Sequence, residues 1–175
     1  MNLKLKRTPG IYLVGFMDSG KSTIGSMLAK HLNWHFADID AEIEAAQGVP
    51  IWEIFDTRGE AEFRRIEHQA VADRVRAVER GRATVVALGG GAFAQDVTRQ
   101  LVSDHGVTVW LDCPFEIVER RVAQAAHRPL ARDPVQFAEL YRVRRESYSR
   151  ADYRIAVESD DPAGPVEAIC RLPLF

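Results

Sequence analysis

An apolar run, a glycine-bounded loop and an amphipathic stretch follow one another without a spare residue between Ile11 and Leu32. Ile11–Gly15 reads as a strand, and Lys21–Leu32 as a helix with Ile24, Leu28 and Leu32 on one face. Parallel strands need crossovers, usually helical. A strand that turns this quickly into a helix therefore points to a parallel sheet.

The rest of the chain repeats the alternation. Trp34–Asp38, Ala83–Leu88, Val107–Leu111 and Arg154–Val157 read as further strands, and "ATVVAL" is apolar enough to be buried on both faces. Ala41–Ala46, Ile51–Asp56, Glu60–Arg80, Val97–Val102, Phe115–Ala125, Val135–Tyr148 and Pro165–Cys170 read as helices. His127–Pro134, with two prolines, reads as a loop. The expectation is one α/β domain of 175 residues with helices on both faces of a parallel sheet. Ligands in such sheets sit beyond the carboxyl ends of the strands. The polar segments "DSGKST", "DID" and "GGG" all fall there.

Composition narrows the partners. Lys plus Arg number 23 and Asp plus Glu 25, so the net charge of −2 gives no overall pull toward nucleic acid or an anionic membrane. No apolar run approaches the ~20 residues of a membrane span, and the basic segment MNLKLKRTPG lacks the apolar core of a signal peptide. Cys113 and Cys170 form no metal or redox pattern and read as reduced, packed thiols of a cytoplasmic protein. The histidines have no metal-ligand spacing, and Trp34, Trp52 and Trp110 read as core.

Gly15, Gly20, Lys21 and Ser22 satisfy G-x-x-x-x-G-K-[ST]. Glycines let several N–H groups aim into one hollow, and the helix start adds its dipole. Lys21 would meet the outer phosphates of a nucleoside triphosphate, and Ser22 would offer a hydroxyl to Mg²⁺. A chance Gly/Ser turn is the bland alternative; the strand before and helix after speak against it. "FADID" sets Asp38 and Asp40 two apart, on one face if the strand stays extended. One carboxylate, Asp38, suits the metal or its waters; the other, Asp40, suits the proton of an attacking hydroxyl. The plainer alternative is a strand end and a helix cap.

Several arginines invite the same question. Arg64 and Glu67 are three apart on one helical face, with Phe63 and Ile66 on the buried side. A carboxylate partner can hold a guanidinium ready for an anion; the alternative is a surface ion pair. Arg128 sits in the loop before Pro129, where closure could bring a charge to the phosphates. Arg142, Arg144 and Arg145 share a helix, with no basis for choosing among them; Arg120 and Arg121 read as surface charge. Gly89–Gly91 after a buried strand reads as a place where backbone closely approaches a ligand.

Taken in order, "GFMDSGKSTIG", "FADIDAEIE", "IWEIFDTRGEAEFRRIE", "ALGGGAF", "VWLDCP", "RPL" and Arg144 followed four residues later by Tyr148 resemble the shikimate kinase family over nearly the whole chain. The resemblance implies a five-stranded parallel sheet of order 2-3-1-4-5 in a P-loop nucleoside-monophosphate-kinase-like fold. It implies acceptor-binding helices at about 39–70, a lid at about 125–134, and ATP-dependent phosphorylation of the shikimate 3-hydroxyl on the way to aromatic amino acids. By motif, Asp18, Ser19, Gly20, Lys21, Ser22 and Thr23 would hold the phosphates, and Arg128 would be the lid arginine on ATP. Asp40, Arg64, Gly90 and Arg144 would hold shikimate, Ser22 and Asp38 the Mg²⁺, and Lys21, Asp40 and Arg128 would serve the transfer. Asp18 replaces a small residue, and tyrosine to "AD" is one residue shorter than usual, which leaves Arg145 as the alternative to Arg144. A monomer is the expected state. A gluconate-type kinase and a non-catalytic nucleotide-binding regulator are the rival readings.

Overall fold

Five consecutive buried residues, Gly10–Val14, form β1 at the centre of the sheet. In the computed structural model, which describes residues 10–125 and 133–174, β1 pairs in parallel with β3 (Thr84–Ala87) and β4 (Val107–Asp112). Outside them lie β2 (His35–Asp38) and β5 (Tyr153–Ala156), also parallel, giving the order β2-β3-β1-β4-β5. The interior strands β1 and β3 are buried along their whole length, as the unbroken apolar runs require.

The helices are α1 (Lys21–Leu32), α2 (Ile39–Gln47), α3 (Ile51–Glu79), α4 (Asp96–His105), α5 (Phe115–Gln124), α6 (Pro134–Tyr148) and α7 (Ala163–Cys170). α1 packs on β3 and α7, and α3 on α2 and α4. Both ends of α1 are set by left-handed residues. Gly20 enters it at φ 97°, and Asn33 leaves it at φ 57° with its N–H donating to the carbonyls of Ala29 and Lys30. The two helical pieces expected on either side of Gly59 form one element, broken there by φ 84° and ψ 167°.

The extended reading of "DID" is corrected. The strand stops at Asp38, whose carboxylate accepts the Ala41 N–H at 3.2 Å and caps α2. Asp40 therefore rides in the first turn of α2, where an acidic residue suits the helix dipole. Of the three tryptophans, Trp110 is core and Trp34 packs against it, but Trp52 is 47% exposed at a cleft wall. Both cysteines are free thiols, Cys113 buried and Cys170 half-buried. Among the described residues no helix is long and apolar enough to cross a membrane.

One buried group is out of balance. Tyr12 is fully buried, and its hydroxyl has no hydrogen-bond partner among the described residues. Burial, with Glu79 nearby, pushes its pKa up. Tyr12→Phe removes the orphaned oxygen and keeps the ring, so it is expected to stabilise the fold by about 1 kcal/mol. A denaturation midpoint that falls instead would mean the hydroxyl is hydrogen-bonded after all.

Candidate active site

The carboxyl ends of β1, β2 and β3 open onto one cleft of ≈ 1090 Å³, lined by Ser19, Lys21, Ser22, Asp38, Asp40 and Gly90 among others. Its floor is the glycine-bounded loop. At Gly15 a Cβ would lie 2.8 Å from the Leu111 carbonyl and 2.9 Å from Ser19 Oγ, so only glycine lets the loop hug the end of β4. Lys21 Nζ donates to the carbonyls of Gly15 (2.8 Å) and Phe16 (2.7 Å). Burial lowers its pKa to about 8, opposed by the carboxylates of Asp40, Asp18 and Asp38. The ammonium thus stays cationic at neutral pH.

Asp18 adopts φ 55°, a left-handed conformation that aspartate tolerates better than most residues. Its carbonyl accepts Arg121 Nη1 at 2.9 Å. Arg121 is therefore not the surface charge expected from sequence. Its Nε and Nη2 reach Asp160 at 3.2 and 3.0 Å, and its side chain lines the cleft. A signal was present in the spacing: Arg121 stands between Val118 and Val122, the two buried residues of α5.

Ser22 Oγ donates to Asp38, bringing a hydroxyl and a carboxylate together at the loop. Among the described residues no cluster of three or more His, Cys, Asp or Glu could hold a metal alone. Two hard oxygens beside a phosphate loop suit a Mg²⁺ that shares its remaining ligands with phosphates and water.

The triple glycine is the ledge on which the other side of the cleft is built. A Cβ on Gly89 would meet Asp40 Oδ1 at 2.7 Å and Glu67 Oε2 at 2.8 Å. A Cβ on Gly91 would strike the Arg64 guanidinium. Gly90 lies against the phosphate loop, its would-be Cβ 3.4 Å from the Met17 N and 3.5 Å from Arg144 Nη1. Asp40, Arg64, Gly90 and Arg144 are thus brought together, the two arginines standing at the glycines and off the cleft wall itself.

Arg64 is held as its spacing implied. Nη1 donates to the buried Glu67 at 2.7 Å, Nη2 lies 3.6 Å from Glu60, and the guanidinium stacks over Phe63 at 5.2 Å. Its Nε is buried without a partner among the described residues. Burial pushes the Glu67 carboxyl up, with the Arg64 charge opposing. Burial also pulls the Arg144 pKa down, while Tyr148 and Glu67 favour its charge and Arg64 disfavours it. Two guanidinium groups and two carboxylates, Glu67 and Asp40, thus share one partly dry corner, with Arg64 paired to Glu67. Arg145 turns away to Asp112, and Arg128 lies outside the described residues.

The family model for shikimate kinase matches residues 17–171. The shikimate kinase of Aquifex aeolicus is 38% identical over 149 residues, covering 85% of this chain and 86% of the relative. That of Persephonella marina is 40% identical over 156 residues, covering 87% and 91%. Among solved structures, a shikimate kinase from Acinetobacter baumannii in complex with shikimate superposes with a TM-score of 0.87 at 32% identity, covering 95% of this chain and 93% of that one. The crystal structure of the Aquifex aeolicus shikimate kinase gives 0.79 at 35%, covering 92% and 93%. Matches of this length and identity place the chain in the shikimate kinase family.

Proposed function

We propose that this chain transfers the γ-phosphoryl group of ATP to the 3-hydroxyl of shikimate, giving shikimate 3-phosphate. The observation that carries the reading is the meeting of Asp40, Arg64 and Arg144 on a glycine ledge that itself touches the phosphate loop. Shikimate is a hydroxylated carboxylate. The Arg64 and Arg144 guanidinium groups suit the carboxylate; Asp40 and the Gly90 N–H suit the hydroxyls.

The transfer needs positioning and charge stabilisation more than covalent help. The N–H groups of Asp18–Thr23 would cradle the phosphates, and Lys21 would trade its loop carbonyls for the outer phosphate oxygens. Ser22 and Asp38 would hold Mg²⁺, which neutralises phosphate charge when bound. Asp40 would orient the acceptor hydroxyl and take its proton. Arg121, fixed between Asp18 and Asp160, presents a planar cation at the end of the cleft left for the base. Arg128 is assigned by motif to the lid at about 125–134, over the phosphates. The working form in this reading is a cytoplasmic monomer.

A coupled ADP-release assay tests the reaction. Turnover is expected with shikimate, and only background with gluconate or with no acceptor. Gluconate turnover would favour the rival sugar-acid kinase, and no turnover with any acceptor the non-catalytic regulator. Arg64→Ala is expected to raise the acceptor KM by about tenfold or more while changing the KM for ATP little. An unchanged acceptor KM would remove Arg64 from the site.

A further inference from the structure

Arg144 and Arg145 are neighbours on α6, and successive helical residues point about 100° apart. Only one of them can face the glycine ledge. The contacts of α6 with the core are largely aromatic: Phe137 lies 5.4 Å from Phe16 and 5.7 Å from Phe115, ring centre to ring centre. That packing seats one face of α6 on the core, and polar contacts set its rotation more finely.

Asp112 is directional. It ends β4, next to the central strand, and is largely buried. Arg145 reaches both its oxygens, with Nη2 3.3 Å from Oδ2, and Arg154 Nε donates to Oδ2 at 2.7 Å. Both guanidinium groups stack on Trp110, at 4.9 and 5.1 Å. Arg145 also donates to Tyr141 Oη at 3.0 Å, and that hydroxyl donates to the Cys113 carbonyl at 2.6 Å. A buried carboxylate holds its cations firmly because leaving it unpaired is costly. On the adjacent face Tyr148 Oη donates to the Gly90 carbonyl, and Arg144 comes to Gly90.

We propose that Asp112 is a positioning residue for the acceptor site: by taking Arg145 it sets, together with Tyr148 on the Gly90 carbonyl, the rotation of α6 that turns Arg144 to Gly90. The inference rests on the reading of Arg144 as an acceptor ligand. It explains why two adjacent arginines that look equivalent in the sequence are not interchangeable.

The test measures both KM values and kcat for the full chain carrying Arg145→Gln, Asp112→Asn, Asp112→Glu or Arg144→Ala. Arg145→Gln and Asp112→Asn are expected to raise the shikimate KM by about tenfold, with the MgATP KM within about twofold. Asp112→Glu keeps the charge and should fall between wild type and Asp112→Asn. Arg145→Gln leaves Arg154 on Asp112, so it stays decisive if Asp112→Asn does not fold. A folded Arg145→Gln enzyme with the wild-type shikimate KM, or with both KM values moved by one factor, overturns the proposal. Arg144→Ala separates the two levels. If it alone raises the shikimate KM, the positioning role fails and the ligand reading stands; if it leaves that KM unchanged, both fall.

Discussion

Lys21→Ala is expected to lower kcat by about a thousandfold or more while the protein stays folded. Lys21 is the one lysine at the phosphate loop, and its ammonium is already gathered there by the carbonyls of Gly15 and Phe16. Buried at the floor of the cleft, a positive charge aimed at transferring oxygens acts more strongly than in bulk water. Alanine at the first position of α1 favours the helix, and water from the cleft can reach the two freed carbonyls. The checks are single-turnover kinetics, circular dichroism and a thermal midpoint. A variant that lost stability but kept near-normal kcat would make Lys21 a strut of the loop rather than a participant.

Asp40→Asn is expected to lower kcat by about 10²- to 10⁴-fold with a much smaller change in the shikimate KM. Asparagine keeps the size and one acceptor oxygen, so the hydroxyl can still dock. It cannot accept the proton as the phosphate bond forms. The absent Cβ of Gly89 leaves room for either side chain, so the change isolates the proton function from packing. A kcat within tenfold of wild type would remove Asp40 as the base.

What was legible in the sequence is what local chemistry decides. The bounds of α1 could be read because Gly20 and Asn33 close its ends by backbone conformation alone. The break at Gly59 was legible for the same reason. The "DID" segment was harder, since strand extension and helix capping compete there, and the orphan N–H of Ala41 decides for the cap. Arg121 escaped notice because its partners, Asp18 and Asp160, are far away along the chain and meet only once β5 lies beside β4. The choice between Arg144 and Arg145 has the same origin. It is made by Asp112, a carboxylate at the end of β4 and distant along the chain from α6. Gly89–Gly91 read as a close approach to a ligand, whereas at Gly89 and Gly91 it is the chain's own Asp40, Glu67 and Arg64 side chains that come close.

The strand order has a temporal meaning. β1 and β2 come first from the ribosome, yet they never touch; the gap between them belongs to β3, which is made later. A nascent chain that has finished α2 carries the residues of the phosphate loop and both carboxylates but no partner wall. Only when residues 84–91 wedge between the two earlier strands do both halves of the cleft come into reach. Synthesis thus delivers the donor's residues and the base before the ledge that sets the acceptor's arginines beside them.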